Sequence, residues 1–145
     1  GVVEGGLKVN LVPNLVRVEV DVRLPVGVEK EQVISVVKQV LEGYPQVKMS
    51  EINSSPPSWC EPHHEMVEYL QNNSNAVGGY EPAPIVSLGG TDARLWRYRN
   101  VPAYVYGPPP IGMGTYNEHV EIDTFLHVVR CHVLSAYDYL SHSGA

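Results

Sequence analysis

Basic charge is scarce in this chain. Ten Lys and Arg face 16 Asp and Glu across 145 residues, for a formal net charge of -6, and the cations form no cluster. Nucleic-acid binding needs a concentrated basic face to neutralise phosphates, so no nucleic-acid partner is expected. Cysteine is scarcer still. Cys60 and Cys131 are the only two, fewer than a short secreted disulfide scaffold carries. They lack the spacing of a metal-binding pair and read as reduced, mostly buried thiols of a cytoplasmic protein. No apolar run approaches the roughly 20 residues that cross a bilayer, and no signal peptide is evident, so no membrane partner is expected. Also missing are a helix-borne His pair of the zinc-protease type, a nucleophile elbow and a phosphate-binding loop.

What is present suits a folded chain. Hydrophobic residues make up 43% and charged residues 18%, enough to bury a core. Leu7 to Val12 is a short apolar stretch. Val16, Val18, Val20, Val22 and Leu24 then alternate with Arg17, Glu19, Asp21 and Arg23. That period of two predicts a strand with one buried face, ended by Pro25 and Gly27. From Glu29 to Glu42, Val33, Ile34, Val36, Val37, Val40 and Leu41 recur at helical spacing, which predicts an amphipathic helix stopped by Gly43 and Pro45. Gln46 to Ile52 reads as a further strand.

Asn53 to Ser58 combines turn formers with two prolines and marks a boundary near residue 56. The expected segments are therefore 1-56 and 57-145. In the second, Pro62 to Asn73 reads as a helix and Pro84 to Leu88 as a strand. Thr91 to Arg99 reads as a helix with Thr91 as N-cap, and Val101 to Tyr106 as a strand. Gly107 to Thr115 is a Gly/Pro loop. Asp123 to Leu140 is a long helix whose expected core face is Phe125, Leu126, Val128, Val129, Val133, Ala136, Tyr137 and Leu140. Strands alternating with helices give an α/β fold class, an α+β piece followed by an α/β piece holding part of a parallel or mixed sheet.

Three places carry polar residues suited to chemistry. Ser87 to Arg94 reads Ser-Leu-Gly-Gly-Thr-Asp-Ala-Arg, a strand end, a Gly-Gly break and a helix start. Free backbone N–H groups there suit a carboxylate, an amide oxygen or a phosphate, although a plain glycine turn with a Thr cap is the commoner reading of the spacing alone. The Gly/Pro loop closes on Asn117-Glu118-His119, where an acid lies beside an imidazole; solvated surface residues are the simpler reading. Arg23 carries a fork that matches a carboxylate, and Asn10 is the other polar candidate. His63 and His64 are adjacent and would face different ways on a helix.

These residues resemble a known family. Gly5-Gly6-Leu7-Lys8-Val9-Asn10-Leu11-Val12-Pro13 and Val20-Asp21-Val22-Arg23-Leu24-Pro25 are similar to the lid, or dimerisation, domain of the acetylornithine deacetylase, succinyl-diaminopimelate desuccinylase and aminoacylase family. Gly89-Gly90-Thr91-Asp92-Ala93-Arg94, Val105-Tyr106-Gly107-Pro108 and Asn117-Glu118-His119-Val120 are similar to elements of its catalytic domain, in the same order. The resemblance implies a two-domain metallo-amidohydrolase that cleaves amide bonds of N-acyl amino acids or small peptides with one or two zinc ions. Residues 1-56 would be part of the lid and 57-145 the C-terminal part of the catalytic domain. Asn10 and Arg23 would bind the substrate carboxylate, with Gly90 and Thr91 lining its pocket. A homodimer through the lid and the chain's own N-terminal half would be the partners. The family's catalytic groups lie in segments that this sequence does not contain, so no catalytic residue is expected here. The opening Gly1-Val2-Val3-Glu4 reads as a strand end, which points to a fragment or one subunit of a split enzyme. In the family a His ligand stands three residues before the Asn-Glu pair. Gly114 stands there in this sequence, and His119 is the nearest substitute. A non-catalytic binding or dimerisation module of the same fold, its metal site lost, is the alternative.

Overall fold

A strand persists only as far as it has a partner, and that rule trims the first predicted element. The computed structural model describes residues 1–142. Its one sheet among them is an antiparallel pair, β1 (Val2–Gly5) and β2 (Val16–Glu19), with Gly5 opposite Val16 and Val2 opposite Glu19. Residues 20–24 continue the period-two pattern but have no ladder partner, so the expected strand over 16–24 shortens to four residues. Its apolar face is also uncovered: Val16, Val18, Val20 and Val22 are all exposed.

The chain divides into two compact units, Gly1–Pro57 and Ser58–Ala145. In the first, helix α1 (Lys30–Leu41) lies one residue inside the predicted span at each end. Glu29 caps it through a reciprocal capping box with Gln32, whose side chain accepts the Glu29 N–H at 3.0 Å. Both orphan donors are satisfied in this way. Val33, Ile34 and Leu41 are half-buried, while Val36 and Val40 are exposed.

The second unit is built on two packed helices, α2 (Glu65–Gly78) and α4 (Ile122–His142). Helix α2 starts three residues later than the pattern predicts, because His64 is its cap: the imidazole Nδ1 accepts the Met66 N–H at 3.1 Å. It runs on to Gly78, and Gly79 closes it at φ 69°, a left-handed cap that glycine takes without strain. Val67 and Leu70 of α2 are buried along with Val128 of α4. Each such burial contributes about 1.5–3 kcal/mol.

The core face of α4 agrees with the predicted one only at Val128. Phe125, Leu126, Val129, Val133, Tyr137 and Leu140 are exposed. Val128 is buried as expected, and His127, Cys131 and Ser135 are buried beside it, with His127 meeting Ser74 and Ser135 meeting Asn73 on α2. The contact therefore falls on the small and polar row of α4, where the helices can approach closely, and the bulky apolar row faces outward.

The strands expected at 46–52, 84–88 and 101–106 do not form, so no sheet occurs in the second unit among the described residues. Apolar, β-branched composition favours a strand only where a paired surface exists. Side chains occupy the backbone groups of Ala103 and the Tyr106 carbonyl instead. Ala103 O accepts from Arg97 Nε at 2.9 Å and Nη2 at 2.6 Å, and the Ala103 N–H reaches Cys60 Sγ at 3.4 Å. The overall class is α/β, with one small sheet and four helices among the described residues.

Candidate functional site

The two substrate-carboxylate candidates of the first unit flank one hairpin. Asn10 lies in the loop 6–15 that joins β1 to β2, a loop held partly by the Leu11 N–H bonding Lys8 O at 3.2 Å. Arg23 follows the other end of the ladder, four residues past Glu19. Four ladder rows span roughly 10 Å, so the hairpin does not itself bring Asn10 and Arg23 together. The Arg23 guanidinium Nε donates to Asp21 at 2.9 Å. Both side chains are more than half exposed, so the ion pair is a weak anchor.

Gly90 and Thr91 precede a shorter helix than expected. Helix α3 runs from Ala93 to Arg97, with Asp92 in the cap position and not Thr91. Thr91 still contributes a capping contact, its Oγ1 accepting the Ala93 N–H at 3.4 Å. Arg94 folds back to donate to Thr91 O at 3.2 Å and lies 3.6 Å from the Asp92 carboxylate. Ser87 Oγ accepts the Gly89 N–H at 3.1 Å and closes the preceding turn. Nothing approaches within 4 Å of where a Gly90 side chain would begin, so a ligand could approach the backbone there. A turn over residues 98–100 follows the helix and closes at Asn100, whose φ of 58° places it in the left-handed region that Asn tolerates better than most residues.

The Gly/Pro loop closes on itself. Ile111 and His119 exchange backbone hydrogen bonds, 2.8 Å from the Ile111 N–H and 3.1 Å from the His119 N–H. Between them Gly112 and Gly114 adopt φ of 68° and 78°. The Glu118 carboxylate accepts the Gly114 N–H at 3.0 Å. Thr115 Oγ1 donates to Gly112 O at 2.7 Å. The His119 imidazole meets Asn117 O through Nδ1 at 2.6 Å, leaving Nε2 as the ring's free ligand atom. A His at position 114 would be strained in this conformation, by about 1–2 kcal/mol. His63 and His64 do not combine either, since His64 is spent on capping α2.

A buried polar cluster in the second unit escaped the sequence reading. Tyr106 Oη lies 2.8 Å from Ser74 Oγ and 2.9 Å from His127 Nε2. Cys131 Sγ is 3.4 Å from the same nitrogen, and the Tyr80 ring meets the imidazole edge-on at 4.8 Å. Burial pushes the Cys131 thiol above its ordinary pKa, which keeps it protonated and unreactive. Asn73 on α2 donates to Ser135 at 3.3 Å and to Asp138 at 2.8 Å, both on α4. No buried side-chain nitrogen or oxygen among the described residues lacks a hydrogen-bond partner, so the cluster stitches the two helices together. Its signal in the sequence is the row His127, Cys131, Ser135 at intervals of four, a polar stripe inside an otherwise apolar helix.

The model of Peptidase family M20/M25/M40 matches residues 2–138. The chain therefore belongs to that family, whose members are metal-dependent hydrolases and peptidases. No curated protein and no solved structure matches it.

Zinc, the metal typical of the family, does not fit these residues as a set. No group of three or more His, Cys, Asp or Glu side chains converges among the described residues, and zinc needs three or four such ligands. Nor is any helix among them long and apolar enough to cross a membrane.

Proposed function

We propose that this chain is part of a metal-dependent hydrolase that cleaves the amide bond of N-acyl amino acids or small peptides, as in the acetylornithine deacetylase, desuccinylase and aminoacylase group. Its role there is to bind the substrate carboxylate and to support a homodimer. The match over residues 2–138, which spans both units, carries this reading. Arg23 supplies the carboxylate-binding fork and exchanges Asp21 for substrate, and Asn10 adds an amide donor. Gly90 leaves its backbone open to a ligand beside Thr91. Metal ligands and the general base come from residues other than these, because the described residues lack a ligand set. The uncovered valines of the β1–β2 hairpin support dimerisation through the first unit. The unpaired Cys60 and Cys131 support a cytoplasmic setting.

A second reading, a binding or dimerisation module of the same fold without a metal centre, is favoured by Gly114 in the position where the resemblance expects a His. Steady-state kinetics of the complete enzyme separates the two. Arg23→Ala should raise KM for carboxylate-bearing substrates about tenfold or more, as expected for loss of a charge-assisted bidentate contact. An unchanged KM removes Arg23 from the pocket. A complete protein that holds no metal and hydrolyses no N-acyl amino acid establishes the second reading.

A further inference from the structure

We infer that Glu118 is a positioning residue, the clamp of a glycine-dependent turn at 111–119, and is not a metal ligand. The acid beside His119 is the feature of the loop that most suggests metal binding, and its surroundings assign it another task. The carboxylate accepts the Gly114 N–H at 3.0 Å across the turn. Charge-assisted bonds of this kind are stronger than neutral ones. The turn itself depends on glycine at two places. Gly112 has φ 68°, and a β-carbon there would meet Thr115 Oγ1 at 2.9 Å. Gly114 has φ 78° with open space around it, so its restriction is conformational, not steric. The Ile111 and His119 backbone pair closes the base. Position 114 therefore gives up a side chain and contributes its amide instead, and Glu118 turns inward to receive it. What remains for a metal is one exposed imidazole nitrogen on His119 and the second Glu118 oxygen, short of the three or four ligands that zinc needs. The loss of the expected His and the closed form of the loop are two sides of one arrangement.

The inference rests on the hydrolase reading only in the choice of zinc as the probe ion. Its test is amide exchange and zinc titration of the isotope-labelled full chain by nuclear magnetic resonance. Glu118→Ala should speed exchange of the Gly114 amide about tenfold, the scale of one charge-assisted hydrogen bond. Glu118→Gln keeps an acceptor oxygen and should restore most of the protection. Up to one equivalent of zinc should leave the resonances of residues 112–118 unmoved in the unsubstituted chain. A Gly114 amide indifferent to Glu118→Ala would overturn the clamp. Zinc that shifts these resonances in the unsubstituted chain but not in Glu118→Ala would make Glu118 a ligand and overturn the inference. That second result would leave the Arg23 kinetics untouched, so the two readings fail separately. Resonances of α2 and α4 report whether each variant is folded, and the zinc titration of the unsubstituted chain stands without any variant.

Discussion

Tyr106 Oη lies 2.9 Å from His127 Nε2 and 2.8 Å from Ser74 Oγ, so one hydroxyl joins a non-helical segment to both packed helices. Ser74 is fully buried and His127 nearly so. Removing the hydroxyl leaves both of them with a weaker partner, since Ser74 and His127 are themselves 3.5 Å apart. Tyr106→Phe should therefore destabilise the second unit by about 1–3 kcal/mol, the cost of leaving a buried polar group poorly satisfied. Urea unfolding followed by circular dichroism measures it. A midpoint equal to that of the unsubstituted chain would show that the imidazole and serine re-pair without loss.

The two thiols should separate cleanly by reactivity. Cys131 is fully buried on α4 and its thiol is pushed up by burial, whereas Cys60 is half-buried and rests against the Ala103 backbone. Thiolate is the reactive form, and access limits its attack. A disulfide reagent added to the native chain should modify Cys60 well before Cys131, and Cys131 should react on the timescale of unfolding. Mass spectrometry of timed digests checks the order. Equal labelling of the two would mean that the α2–α4 contact opens readily.

Local patterns foretold the helices of this chain, and their failures have a common cause. The span of α1 follows from its apolar spacing and from Glu29 and Gln32, all of which act within a few residues of one another. The shift of α2 to Glu65–Gly78 depends on a His acting as N-cap, outside the usual capping set of Ser, Thr, Asp and Asn. Segments 46–52, 84–88 and 101–106 carry strand-like composition, but pairing is a property of a distant partner and none is present among the described residues. The choice of α4 face is also non-local: two rows of the helix could pack, and Ser74 on α2 selects the row of Cys131 and Ser135. At the candidate site, glycines at 112 and 114 announced a turn, while the inward Glu118 carboxylate could not be read without the turn's geometry.

The carboxylate of Glu51 gives the first unit a pH response whose sign follows from its surroundings. The side chain of Ser54 holds its pKa below the ordinary value, and Lys30 adds a hydrogen bond and its charge, against a smaller opposing effect of desolvation. Lys30 Nζ bridges the group, 3.2 Å and 3.3 Å from the two Glu51 oxygens and 3.3 Å from Ser54 Oγ. A pKa lowered by folding means that the folded chain binds the proton less readily than the unfolded one. The stabilisation from Glu51 is thus fully present above the unfolded pKa and is lost as pH falls through the lower, folded one. Because the group is exposed, the effect is small and is better read from titration than from unfolding. Carboxyl chemical shifts followed against pH should show Glu51 titrating below an ordinary glutamate. Ser54→Ala should move it back upward, as should Lys30→Met. A Glu51 titration that ignores Ser54→Ala would remove Ser54 as the main cause of the lowered pKa.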